Sequence, residues 1–288
     1  MNPRVLVIGP GGVKGFLILG CLLPLEEMLH KVDTYCGVSI GSPIALLLIC
    51  GYTIKEIITI ANKIDFFKNL FYFNLQSTVN HQGLISNHLI RKKLTKLVLK
   101  KLGSIPTLYE LYMKTGKSLI TVTLNMTDER TEYWGPSTHG SESVIDAVIY
   151  SMNIPFIYYQ LIHHDKLYVD GALGNPYPID YFDDGQTEIL GLYIKTVYEE
   201  STITNYVYKS FDAAIEQRRV SIIQNASSRC RHIELLTTFN NVLTTTIKHK
   251  AEMLIAGQQA GLDFLNRLPT VSTAPKYIYP EYYLNDSK

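Results

Sequence analysis

The chain opens with the same short pattern twice, and that repetition limits its fold more than any other feature. Arg4 to Ile8 is an apolar, β-branched run closed by glycines and followed by a helix-length stretch from Lys14 to His30. Thr34 to Val38 is a second such run, closed by Gly37, Ser39 and Gly41 and followed by Pro43 to Cys50, a helix with proline near its start, where a missing N–H costs little. Two strand–turn–helix units in succession predict a parallel sheet covered by helices. The alternation continues: Asn87 to Leu102 and Val144 to Met152 are expected as helices, and Ser118 to Asn125, Lys166 to Val169 and Glu188 to Tyr193 as strands. From about Tyr206 to Leu268 the pattern is helical until Pro269. The 288 residues are read as one α/β domain, a three-layer α/β/α sandwich with a core over 4–268, C-terminal helices packed on it and a tail over 269–288.

Charge and cysteine content exclude several functions. With 27 basic and 26 acidic side chains there is no overall field to attract nucleic acid, so no nucleic-acid partner is expected. The apolar stretches around Phe16 to Leu25 and Pro43 to Tyr52 fall short of the ~18 residues a membrane-spanning helix needs. The start lacks the basic, apolar and small-residue order of a secretory signal, so a cytoplasmic location is expected, with no more than peripheral attachment to membranes. Cys21, Cys36, Cys50 and Cys230 form no C-x-x-C pair and read as reduced and structural. The N-x-[ST] matches at Asn125, Asn225 and Asn285 are given no weight without a secretory signal.

Three clusters carry candidate chemistry. Gly37-Val38-Ser39-Ile40-Gly41 fits G-x-S-x-G at a strand-to-helix turn, the arrangement that lifts a serine oxygen clear of the backbone. Gly9-Pro10-Gly11-Gly12-Val13-Lys14-Gly15 lies at the other such turn, where unpaired backbone N–H groups can converge on a negative oxygen. Neither nucleotide pattern fits it: Lys14 stands where the third glycine of G-x-G-x-x-G belongs, and the Gly-Lys-[Ser/Thr] of a phosphate loop is missing. Asp170-Gly171-Ala172 ends an apolar strand and offers a carboxylate at its carboxyl end. A serine hydroxyl needs a base at neutral pH, and Asp170 is the best-positioned carboxylate.

These clusters, in this order, resemble those of patatin-like phospholipases. Gly11-Gly12-Val13-Lys14-Gly15 is similar to the family's glycine-rich oxyanion motif, Gly37 to Gly41 to its nucleophile elbow, and Asp170-Gly171-Ala172 to its Asp-Gly-[Gly/Ala] motif. Gly83-Leu84, Pro106 to Ile120 with Thr115-Gly116-Lys117, Ser151 to Phe156, and Asn175 with Pro178 also resemble family segments. The resemblance implies a calcium-independent serine acyl hydrolase of the phospholipase A or lysophospholipase type. In it Ser39 is the nucleophile, Asp170 the only base, and Gly11, Gly12 and Val13 the oxyanion hole, with no cofactor and no metal. The implied substrate is a phospholipid or other fatty-acyl ester met at a membrane or lipid-aggregate surface. Two residues depart from the family pattern: Pro10 takes the place of a first glycine and removes one backbone donor, and Pro176 replaces an asparagine.

Two other readings stay open. An α/β-hydrolase esterase would complete Ser39 and Asp170 with His232 or His249. A lipid-binding pseudoenzyme would follow if Pro10 disabled the hole. His163-His164 reads as a solvated turn, with metal binding as its alternative. Lys92, Lys93, Lys96 and Lys100 share one helix face, either simply solvated or turned toward anionic lipid. Phe66, Phe67, Phe71, Tyr72 and Phe73 read as core, or as a lip over an acyl pocket.

Overall fold

In the computed structural model, residues 2–63, 81–197, 203–239, 241 and 245–268 are described. The first strand, β1 (Val5–Ile8), is buried along its whole length because the sheet is covered on both faces, which is why it reads as an unbroken apolar run. The Gly12–Lys14 3-10 turn leads into α1 (Gly15–Leu25), and the chain returns through β2 (Thr34–Val38) to α2 (Gly41–Ile49) and α3 (Ile54–Lys63). Next come β3 (Gly83–Ile85), α4 (His88–Leu102), α5 (Leu108–Thr115), β4 (Ser118–Asn125), β5 (Arg130–Trp134) and α6 (Val144–Ser151). The remainder is β6 (Phe156–Tyr158), β7 (Leu161–His163), β8 (Lys166–Asp170), β9 (Ile189–Thr196), α7 (Ile203–Asn225), β10 (Cys230–Thr237) and α8 (Ile247–Arg267).

The sheet runs β10-β9-β1-β2-β4-β8-β7, with β5 on β4, and is parallel from β10 to β4. Alternate residues of its strands feed two cores. Leu6, Ile8 and Tyr35 pack with α1, α2, α4, α6 and α8; Val5, Val7, Cys36 and Val38 pack with Tyr177, Ile179 and Ile222 of α7. The result is the three-layer arrangement expected. The C-terminal part is not wholly helical, however. Cys230–Thr237 forms an edge strand on β9; Cys230, Ile233 and Leu235 are buried, Arg231, Glu234 and Leu236 are exposed, and from Ile233 to Leu236 the two kinds alternate. That strand carries the chain past the sheet's edge, so α7 and α8 cover opposite faces. All four cysteines are buried and unpaired. Among the described residues no helix is long and apolar enough to cross a membrane.

The central strand β4 serves as a template for the site. Its residues 118–122 pair with β2 in parallel, ending at Val38↔Val122, and its residues 123–125 pair with β8 antiparallel, ending at Thr123↔Asp170. Because β5 pairs with 121–125, β2 and β8 must share β4's other edge. They run toward each other there, and their carboxyl ends meet at successive β4 residues.

Candidate active site

That meeting brings together two side chains 131 positions apart in sequence. Ser39 Oγ donates to Asp170 Oδ2 at 2.6 Å, and both residues are buried. Ser39 has a left-handed backbone, φ 54°, a conformation that a non-glycine residue keeps only when its surroundings impose it. Gly41 is part of the reason: a Cβ there would lie 2.2 Å from the Ile8 carbonyl oxygen, so glycine lets the turn press against β1. Gly37, the last-but-one residue of β2, completes the elbow. The Ser39 N–H donates to Ser151 Oγ at 3.1 Å, and Ser42 Oγ lies 2.7 Å from the same hydroxyl.

Asp170 is fixed from three sides. Its Oδ1 accepts the Ala172 N–H at 2.9 Å, its own N–H donates to the Asn153 carbonyl at 2.9 Å, and Gly171 begins the 3-10 turn that follows. Burial pushes its carboxyl up to about 6, against the opposing pull of the bonds from Ser39 and Ala172. Such a group is a carboxylate at neutral pH, yet remains basic enough to hold a proton from a neighbouring hydroxyl.

The glycine-rich turn faces the pair. Pro10 has no N–H, and the Gly9 N–H is used on Leu192 of β9 at 2.9 Å. Among the described residues, no protein acceptor takes the N–H of Gly11, Gly12 or Val13, the three donors left to the turn. Gly12 has φ 56°, which bends the chain at this point. Gly15 packs against Ile40, the residue after Ser39. Lys14 turns inward instead, with Nζ donating to Thr196 Oγ1 at 2.6 Å. Burial lowers its pKa, Asp212 raises it and Arg219 lowers it further.

Two cavities meet at Ser39, Gly12 and Ile154. The narrower is apolar, walled by Phe16, Leu19, Ile44, Leu47 and Leu94, with Lys93 and Lys250 also in its lining. The wider, about 920 Å³, runs past Asp170 to β9 and α7, and carries Lys14, Lys195, Lys209 and Arg219 against Asp212 and Glu216. Arg219 is buried, donates to the Ile194 carbonyl at 2.9 Å and pairs with Glu216.

Other candidates fall elsewhere. His232, on β10, lies 2.9 Å from the Tyr177 hydroxyl, and His249 packs on Phe239; neither bonds Ser39 or Asp170. The expectation that His163-His164 is solvated holds only for His164. His163 is half-buried, packs on Trp134 and lies 3.1 Å from Glu142 Oε1, because the hairpin turn folds it back onto the loop before α6. Glu142, His163 and His164 are the described residues whose spacing could ligate a metal, and none of them bonds Ser39 or Asp170. Lys92, Lys96 and Lys100 are exposed as expected, while Lys93 reaches the narrower cavity. Phe66, Phe67, Phe71, Tyr72 and Phe73 lie outside the described residues.

The motifs did not disclose Ser151, which holds the Ser39 N–H, Asn153, whose carbonyl holds Asp170, or Arg219 in the wider cavity. The first two fall in the segment from Ser151 to Phe156 that already resembled the family, but no spacing ties them to Ser39.

A family profile described as patatin-like phospholipase matches residues 6–183. A protein of Invertebrate iridescent virus 6 called probable lipid hydrolase 463L is 33% identical over 183 residues, covering 62% of this chain and 62% of that protein. An uncharacterized protein of Acanthamoeba polyphaga mimivirus, R571, is 28% identical over 192 residues, covering 65% of this chain and 64% of that one. The chain thus matches less than two thirds of the length of each relative. Among solved structures, VipD from Legionella pneumophila superposes with a TM-score of 0.57 at 18% identity, covering 92% of this chain and 67% of that one. ExoU from Pseudomonas aeruginosa, solved with SpcU, superposes with a TM-score of 0.54 at 16% identity, covering 93% of this chain and 53% of that one. At those identities the likeness is one of fold.

Proposed function

The chain belongs to the patatin-like phospholipase family, and from that premise we propose that it is a serine acyl hydrolase that cleaves fatty-acyl esters of phospholipids through Ser39 and Asp170. The observation that carries the reading is the 2.6 Å hydrogen bond between a strained, buried serine and a buried carboxylate beside unclaimed backbone donors. Asp170 takes the Ser39 proton as Oγ attacks the acyl carbonyl. The N–H groups of Gly11, Gly12 and Val13 receive the oxyanion, each worth roughly 10² to 10³ in rate. Collapse expels the alcohol, which takes the proton from Asp170. A water molecule then gives its proton to Asp170 and attacks the acyl-serine, and the proton returns to Ser39 as the fatty acid leaves. The oxyanion is met by backbone N–H groups, so the reading calls for no calcium ion.

The two cavities support a glycerophospholipid as substrate. The wider one has the volume an acyl chain needs and carries four cations against two carboxylates besides Asp170, which suit a phosphate; the narrower one, also reaching Ser39, is lined mainly by apolar side chains. The test is mass spectrometry of products released from mixed phospholipids and neutral glycerides by native protein and by folded Ser39→Ala. Free fatty acid and lysophospholipid formed only by the native protein are expected. Equal release by both proteins would overturn the proposal.

A further inference from the structure

The wider cavity has an apolar rim. Phe156 is 76% exposed, Met126 48% and Leu173 39%, and all three line the cavity that ends at Ser39. They come from three separate segments. Met126 follows β4, Phe156 begins β6, and Leu173 closes the 3-10 turn after Asp170. Scattered apolar side chains on a surface call for no explanation, but three gathered around one opening do. Phe156 also has φ 68°, a left-handed conformation that is uncommon for a bulky side chain. Glycine would take that conformation freely, so the aromatic ring is held in water at a cost in backbone strain as well as exposure. Lys209 is exposed in the same lining, which favours negative charge at the mouth, while Lys195 beside it is paired with Glu216.

We propose that this rim is the membrane-docking surface of the protein: Phe156, Met126 and Leu173 insert into the acyl boundary of an anionic phospholipid surface, and the wider cavity opens onto it. The proposal rests on the reading of Ser39 as the lipid-cleaving serine, because the rim's purpose is to let a lipid reach Ser39 without crossing water. Apolar anchors of this kind bind by the area they bury, and basic neighbours add attraction to anionic headgroups. The membrane would meet the sheet's carboxyl ends, where β2 and β8 converge, and not the Lys92, Lys96 and Lys100 face of α4.

Phe156→Gly is the discriminating variant, since it removes the ring and relieves the left-handed strain, so the protein is expected to unfold at a higher temperature. Binding is measured by co-sedimentation in a Ser39→Ala background, with vesicles of phosphatidylcholine with and without phosphatidylglycerol. Phe156→Gly is expected to lower partitioning onto the anionic vesicles roughly tenfold, and Met126→Ser to lower it by a smaller factor. With Ser39 intact, the ratio of vesicle-phospholipid cleavage to soluble short-chain ester cleavage should fall by a similar factor. Unchanged vesicle binding by Phe156→Gly, or a loss matched only by Lys92→Glu and Lys96→Glu, would overturn the proposal. Binding is scored without turnover, so a protein that binds through Phe156 yet cleaves no ester would refute the catalytic reading and leave the docking surface standing.

Discussion

Asp170→Asn separates the cost of the buried carboxylate from its use. The Asp170 carboxyl is held at about 6 by burial, against an ordinary value of 3.8. That difference corresponds to about 3 kcal/mol between the two protonation states. The folded protein binds this proton more tightly than the unfolded chain, so the group's favourable contribution is complete below pH 3.8 and is lost as pH rises through about 6. Asparagine keeps the shape, can still accept the Ala172 N–H and carries no charge. The stability of Asp170→Asn minus that of the native protein should therefore be at its minimum below about pH 3 and grow by about 3 kcal/mol by pH 7 to 8. Other titrating groups are common to both proteins and cancel in the difference. Urea unfolding followed by the fluorescence of Trp134, the chain's single tryptophan and fully buried, reads it at each pH. The same variant should lose hydrolysis by at least 10³-fold, since among the described residues no other base bonds Ser39 Oγ. A difference that stays flat with pH, or that shrinks between pH 4 and 8, would refute the claim that burial raises this carboxyl.

The acid limb of kcat/KM is expected near pH 6, because in the proposed mechanism Asp170 acts as its ionised form, which is lost below that value; an acid limb near 4 in a pH–rate profile would contradict it. Gly12→Ala forces a Cβ into a left-handed position beside the oxyanion donors, and kcat should fall by about 10² with a loss of about 1 kcal/mol in unfolding free energy. Ser151→Ala leaves the Ser39 N–H without its acceptor in a buried position, at about 1 to 3 kcal/mol; urea titration should show that loss, with kcat falling more than KM rises. Added calcium should leave the rate of phospholipid cleavage unchanged in a direct assay.

The parts of the fold legible in the sequence are those buried on both sides. Val5 to Ile8, Thr34 to Val38 and Ser118 to Asn125 read as strands because helices cover both faces, leaving short, almost wholly buried runs rich in apolar and β-branched residues. Cys230 to Thr237 is not legible as a strand because its buried–exposed alternation runs only from Ile233 to Leu236, and so short an alternation between two long helices merges into a helical pattern. Arg130–Trp134 is not legible either: it is five residues long, antiparallel, and carries Arg130 and Glu132, so it shows no apolar run. At the site, Ser39 and Asp170 were legible as chemistry because a nucleophile elbow and an Asp-Gly turn impose their own residues. Their contact was not legible. It depends on β4 pairing with β2 and then with β8 along one edge, a long-range register that no local pattern encodes. Ser151 and Asn153 likewise act through contacts that only the folded sheet creates.

The most direct test of the central claim is covalent labelling with a fluorophosphonate, followed by peptide mapping. The account predicts a single adduct on Ser39, loss of lipid cleavage in proportion to labelling, and labelling slowed by orders of magnitude in Asp170→Asn. An adduct on a different serine that tracks the loss of activity, or labelling of Ser39 at an undiminished rate in Asp170→Asn, would contradict it.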